Sequence, residues 1–302
     1  EIQGNAEDLR AIDFDATVTN INLNGKSAVV MDAANANGIV ITKNGGSYTI
    51  SDNSTNLSDG NFDKAGSSDN ADSVTVVVAG DNENLAAIDL DATVTHINLN
   101  SKSGVLMDAA NAHNRVVAKN GGTYTITDTA TNLSNANFDK AGSSDDAESV
   151  TVEIQGNAEN LTAIDLDASV TNINLNGKTG VILDMGNIGT RSITAGGGSY
   201  VVRDAATNLT SIDLTAAPNN NPNATSVTAV VAGDSEDLTG VDLDSDVGAI
   251  DLNGKNGVVM DAGNAHNRVI TKNGGSYTIS DNSTNLSDGN FDKAGSSDDA
   301  DS

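Results

Sequence analysis

The chain has 302 residues and is strongly acidic, with 42 Asp and Glu against 15 Lys and Arg, a formal net charge of -27 and no cysteine. The absence of cysteine excludes a disulfide scaffold, a thiolate zinc site and a cysteine nucleophile. Negative charge repels phosphate backbones, so nucleic acid is not expected as a partner, and every apolar run falls far short of the roughly 20 residues that a membrane span requires.

Six short segments in the first quarter of the chain have the composition of β-strands, and several alternate apolar and polar residues as half-buried strands do. In chain order they are Ala11–Asp15, Thr19–Leu23, Ala28–Met31, Ile39–Thr42, Tyr48–Ile50 and Val74–Val78. Turn dipeptides such as Asn24–Gly25 separate them. No apolar stripe with the 3.6-residue period of a helix continues for three turns. The sequence therefore predicts an all-β protein.

These segments recur four times along the chain. The pattern Ile21–Asn24 returns at Ile97, Ile173 and Ile250, in steps of 76, 76 and 77 residues, and the four tyrosines repeat the same steps. The sequence thus predicts four repeats: 1–76, 77–152, 153–229 and 230–302. The extra residue falls in the third repeat, where a Pro- and Asn-rich insertion near 217–223 predicts a loop.

The phase of the repeat carries a further expectation. The chain begins and ends at nearly the same position of the repeat, and neither end carries an atypical repeat. Repeat proteins usually have distinct end repeats. We therefore expect this chain to be a fragment of a longer array.

Two architectures fit several short strands in each repeat of about 76 residues: a repetitive β-solenoid (β-helix) or a string of tandem small β-sandwich domains. A strand, a polar bend and an Asn/Asp-Leu pair occur twice in one period, at Val201–Leu214 and Val230–Leu243. Splitting the period at such echoes gives coils of roughly 27, 20 and 29 residues. A sandwich usually needs a large central aromatic, and tryptophan is absent. We predict the solenoid and keep the sandwich array as the alternative.

Small apolar side chains that stack from coil to coil fill the interior of a narrow solenoid. The residues predicted to form this core in the first repeat are Ile12, Phe14, Ile21, Leu23, Tyr48 and Ile50.

A pair of acids two residues apart accompanies each repeat: Asp13 and Asp15, Asp89 and Asp91, Asp165 and Asp167, and Asp242 and Asp244. Paired carboxylates can act as acid and base in glycoside cleavage. On a strand, however, both would point away from the face that carries Ile12 and Phe14. This pattern predicts a solvated surface, with no catalytic and no cofactor-binding residues.

Calcium is the one ion that the sequence suggests, because Ca²⁺ is bound by six to eight oxygen ligands. Segments with three oxygen side chains at alternate positions contain the candidate ligands Asp59, Asn61, Asp63, Asp288, Asn290 and Asp292. No glutamate follows at the spacing of an EF-hand, and the nonapeptide calcium repeat is not matched. A simple polar turn is the competing interpretation. The many carboxylates also favour diffuse binding of divalent cations.

The segment Tyr48–Asp52 followed by Thr55–Leu57, and the matching segment Tyr124–Leu133, resemble the repeat regions of large secreted bacterial surface proteins. These include adhesin-like, haemagglutinin-like and S-layer-like proteins. The resemblance covers all four repeats and implies an extracellular, acidic, cysteine-free β-repeat array that builds a stalk, sheath, filament or adhesive fibre.

The expected function is therefore structural and not enzymatic: a rod on a bacterial cell surface whose partners are further repeats or copies of itself. A cation- or carbohydrate-binding adhesive module is the alternative, with divalent cations or surface glycans as its ligands.

Overall fold

The computed structural model describes residues 1–62, 70–113, 115–138, 146–189, 191–210, 224–266, 268–287 and 300–302. The protein is all-β, with mostly parallel strands stacked as a β-solenoid of about 12 turns. This confirms the predicted fold class and sets aside the sandwich array. None of the helices in the described part of the chain has the length and apolar character that crossing a bilayer would require.

The chain divides into two compact units. The N-terminal unit comprises Glu1–Asp128, Asn135–Thr151 and Asp167–Val170, and the C-terminal unit comprises Thr129–Ser134, Val152–Leu166 and Thr171–Ser302. Each is described by itself, and the four sequence repeats are used below only to number equivalent positions.

The strands of the N-terminal unit are short. They are β1 (Asn20–Asn22), β2 (Val29–Met31), β3 (Val40–Thr42), β4 (Tyr48–Asp52), β5 (Ser73–Val77), β6 (His96–Asn98), β7 (Val105–Met107), β8 (Val116–Ala118), β9 (Tyr124–Asp128) and the start of β10 (Ser149–Glu153). The one-turn helices α1 (Ala33–Ala36) and α2 (Ala109–Ala112) and a 3₁₀ turn at Leu85–Ala87 complete the unit. Strand β1 pairs with β3, β7 pairs with β9, and a five-stranded parallel sheet has the order β2-β4-β5-β6-β8.

The C-terminal unit repeats this plan. Its strands are β11 (Asn172–Asn174), β12 (Val181–Leu183), β13 (Ser192–Thr194), β14 (Tyr200–Ala205), β15 (Ala224–Val230), β16 (Ala249–Asp251), β17 (Val258–Met260), β18 (Val269–Thr271) and β19 (Tyr277–Ile279). Its helices are α3 (Met185–Ile188) and α4 (Ala262–Ala265), with a 3₁₀ turn at Ala206–Asn208. Strand β11 pairs with β13, β17 pairs with β19, and the parallel sheet has the order β12-β14-β15-β16-β18.

The strand register measures the length of a coil. Asn20 pairs with Val40, a step of 20 residues, as predicted for one coil. Thr49 pairs with Ser73, a step of 24, and Thr75 with His96, a step of 21. These steps are shorter than the predicted 27 and 29, because the sequence echoes mark bends while the register is set by paired strand residues.

The core consists of side chains that alternate inward along each strand. Ile21, Leu23, Tyr48 and Ile50 are buried, as predicted. The prediction was wrong for Ile12, which is 45% exposed, because Ala11–Asp15 forms a turn and bends instead of the expected strand.

Two backbone features close the corners between strands. Asn24 and Gly25 have φ values of 50° and 72°, the left-handed conformations of a tight turn. At Gly46 the chain passes so close to its neighbour that a Cβ atom would lie 2.1 Å from the carbonyl oxygen of Lys26. Gly122, Gly198 and Gly275 repeat this approach, so glycine is required there by space.

Candidate functional site

The polar features that recur most regularly surround the one-turn helices. Asp32 caps α1 and accepts a hydrogen bond from the N–H of Asn35 through Oδ1 at 2.8 Å. The amide of Asn35 is buried and donates to the carbonyls of Leu9 and Ile12, at 2.9 and 2.7 Å. One side chain thereby connects the helix to the preceding coil.

Each repeat contains the same arrangement. The equivalent asparagines are Asn111, Asn187 and Asn264, which donate to Leu85, Leu161 and Leu238. Sequence reasoning missed both the helices and this asparagine. The signal was present as an Asp-x-x-Asn pattern at 32, 108, 184 and 261, since Asp is a preferred N-cap.

A second carboxylate reaches the same helix end from the following coil. Asp52 accepts the N–H of Ala33 at 3.0 Å, and Asp128, Asp204 and Asp281 take the same role in the other repeats. Burial raises the pKa of Asp32, and the nearby charge of Asp52 raises it further. The pKa values of Asp108 and Asp184 are raised for the same reasons.

An arginine lies near each of these carboxylate pairs, but its position in the sequence changes. Arg115 donates to the carbonyls of Val94 and Ala110, at 3.0 and 2.7 Å. Arg191 and Arg268 make equivalent bonds, whereas the first repeat has Ile39 at this position. Burial lowers the pKa values of Arg115 and Arg268.

In the first repeat, Arg10 takes over this neutralising role. Its guanidinium pairs with Asp8 at 2.7 Å, and this hydrogen bond lowers the pKa of Asp8 to about 2. The charges of Asp32 and Asp52 further raise the pKa of Arg10. These residues border an open cleft of about 490 Å³, whose opposite wall includes Val77, Val78 and Ala79.

The predicted acid pairs lie in two kinds of environment. Asp13 and Asp15 are exposed, as predicted for a solvated surface. The same prediction was wrong for Asp91 and Asp167, which are fully buried. The N–H of Asp91 donates to Leu57 of the preceding coil, so a segment distant in sequence covers this position.

The predicted calcium ligands are only partly described. Asn61 donates its side-chain amide to the carbonyl of Thr55 at 2.9 Å, and the N–H of Asp59 donates to the carbonyl of Asp89 at 2.8 Å. Asp63, Asp288, Asn290 and Asp292 lie outside the described residues. Where side chains are described, nowhere do three or more His, Asp or Glu residues gather to hold a metal ion. Calcium binding stays a prediction.

Lysine, tyrosine and an acid form a third recurring group. Lys43 lies 5.4 Å above the ring of Tyr48 and pairs with Asp72 at 2.9 Å. Asp72 also accepts the N–H of Tyr48 at 2.7 Å. The same group occurs around Lys119 and Lys272. These polar side chains therefore join coils that are far apart in sequence.

No protein-family model, no curated protein and no solved structure matches the chain.

Proposed function

We propose that this protein is a structural, non-enzymatic repeat segment of a bacterial cell surface, which builds a stalk, filament or sheath outside the cell. The observation that carries the proposal is the use of its buried polar side chains. The asparagine inside each one-turn helix donates to carbonyls of the preceding coil in all four repeats. Groups that an enzyme would direct into one pocket are used here to join neighbouring coils.

Repetition also supports this function. In repeat proteins each coil is stabilised by its neighbours, so that length is extended by adding copies of the same contacts. The resemblance to bacterial surface repeats supports an extracellular position, where a chain without cysteine is insensitive to oxidation.

Immunogold labelling of intact cells tests this proposal. Antibodies raised against the chain are expected to label unpermeabilised cells of the source organism, on projecting material that is lost when the coding segment is deleted. Labelling that requires permeabilisation would contradict a surface role.

A second candidate function is adhesion through a bound cation or glycan, and the cleft beside Arg10 favours it. Carboxylates, a guanidinium and an apolar wall meet in a volume of about 490 Å³, and sugars are bound by polar groups beside apolar surface. Calorimetry with Ca²⁺ and a glycan array would detect it. Binding should be lost in Arg10→Ala and retained in Arg203→Ala, which removes the same charge at a different place.

A further inference from the structure

One set of strands turns an uncharged surface towards solvent. In the N-terminal unit, the residues that point outward from β1, β3, β5, β6 and β8 are Asn20, Asn22, Val40, Thr42, Thr75, Val77, His96, Asn98, Val116 and Ala118. Acidic and basic residues are both absent from this set, although the chain carries a net charge of -27. We call this surface the neutral face.

The C-terminal unit has a neutral face of its own at the same phase of the repeat. Its outward residues are Asn172, Asn174, Ser192, Thr194, Thr228, Val230, Ala249, Asp251, Val269 and Thr271. The one charged residue among them, Asp251, is paired with Arg203 at 2.7 Å.

The neutral face also exposes large apolar side chains. Val40, Val116 and Val269 are equivalent in the repeat, and 62%, 59% and 62% of their surfaces are exposed. The outward residues of β2, β4, β7 and β9 are uncharged as well, but they are only half-buried to a similar degree without such exposed valines. A recurring exposed valine at one phase indicates a contact surface.

We propose that the neutral face is the surface through which two copies of this chain associate laterally. This inference rests on the proposed structural function and names the surface used. Two copies of a strongly acidic chain repel each other wherever carboxylates meet. The neutral faces are where two sheets can approach to the usual distance of about 10 Å without placing acid against acid.

Charges at the borders of the face determine the orientation. Exposed acids precede the strands, at Asp13 and Asp15 before β1 and at Asp89 before β6. Lysines follow the strands, at Lys26 after β1 and Lys102 after β6. Asp81 lies beside the second of these lysines, where it accepts the N–H of Ser103, so the lysine border is partly neutralised.

Face-to-face packing with antiparallel strands brings the acidic border of one copy to the lysine border of the other. Parallel strands would instead place acids against acids. The expected arrangement is therefore a two-fold pair in which both copies stack their coils in the same direction, as a bundle attached at one end requires.

The contact area limits the affinity. Five strands about 4.8 Å apart, each contributing three residues of about 3.3 Å, give only about 240 Å² for the face of one unit. A standard interface buries about 800 Å² per partner. Association is thus expected to be weak for this chain and to strengthen as repeats are added.

Two variants with the same net charge test the proposal. The face variant carries Val40→Glu, Val116→Glu and Val269→Glu, and the border variant carries Ala16→Glu, Ala92→Glu and Ser245→Glu. All six positions are exposed and occupy the same three repeats. Sedimentation velocity is measured up to about 1 mM protein, with a chelator present to exclude bridging by cations, and thermal melts by circular dichroism confirm that each variant is folded.

The natural chain and the border variant are expected to associate alike, and the face variant about 100-fold more weakly, because carboxylates then meet across the face. Equal weakening by both variants would overturn the proposal, since general charge repulsion would explain it. A natural chain that stays monomeric at the highest concentration would overturn it as well, and labelling of intact cells would still decide the structural function separately.

Single cysteines can be placed without background because the chain has none. A mixture of Asp15→Cys and Lys26→Cys chains with a short bismaleimide should give mainly mixed dimers if strands are antiparallel across the face. A preference for like-with-like dimers would contradict this orientation.

Discussion

The step from β4 to β5 in the first repeat and the step from β14 to β15 in the third are closed by different means. In the first, Lys43 bonds Asp72 beside the ring of Tyr48. In the third, alanine and threonine stand at the positions of the lysine and the acid, at Ala195 and Thr225.

The third repeat compensates with a longer ladder. Strands β14 and β15 pair from Tyr200 to Ala205, with a register shift after Tyr200, whereas β4 and β5 pair over four residues. Arg203 adds an ion pair to Asp251, across the strand between them. The comparison teaches that the two partners of a side-chain contact are lost together, and that additional backbone pairing can replace them.

The largest effect is expected at a feature that both regions share. Gly46→Ala and Gly198→Ala each place a Cβ about 2.1–2.2 Å from a carbonyl of the neighbouring coil, so both should destabilise the protein by about 3 kcal/mol or more. Urea unfolding followed by circular dichroism measures this. Gly60→Ala is the control, because nothing lies within 4 Å of its Cβ position; a mild effect at Gly46 would show that the corner can open.

An intermediate effect is expected at the ion pair of the third repeat. Asp251 is 8% exposed, and Asp251→Asn should cost about 1–3 kcal/mol, because a charged hydrogen bond is lost. Burial raises the pKa of Asp251, but the bonds from Arg203, Asn253 and Asn273 outweigh it and lower the pKa. The stabilisation is therefore present above the unfolded value of about 3.9 and is lost as the pH falls through the folded pKa.

Chemical denaturation at pH 7 and below pH 4 measures this second effect. The difference between the natural chain and Asp251→Asn should shrink at the lower pH. A difference that does not depend on pH would show that the contribution of Asp251 is packing and not charge.

The smallest effect is expected at the lysine group of the first repeat. Lys43 and Asp72 are 30% and 47% exposed, and exposed ion pairs contribute about 0–1 kcal/mol. Lys43→Ala should thus lower the melting temperature slightly, and rebuilding the group by Ala195→Lys with Thr225→Asp should raise it slightly. A large gain from the rebuilt pair would contradict the view that the longer ladder already replaces it.

Sequence reasoning predicted the features that depend on local pattern. The period of the tyrosines, the turn at Asn24–Gly25 and the inward residues Ile21 and Ile50 follow from spacing and conformational preference alone. The carboxylates around α1 could be seen only as acids, because Asp32 and Asp52 come together through coils that stack 19 residues apart.

The amino-acid sequence by itself determined the repeat, the all-β class and the interior positions, because alternation and turn chemistry act over a few residues. Only the tertiary structure decided that Asp91 is buried while Asp15 is exposed, and that the backbone N–H of Asp91 donates to Leu57. Burial and pairing of a polar group depend on which distant coil covers it, and that is settled by the stacking register rather than by its neighbours in the chain.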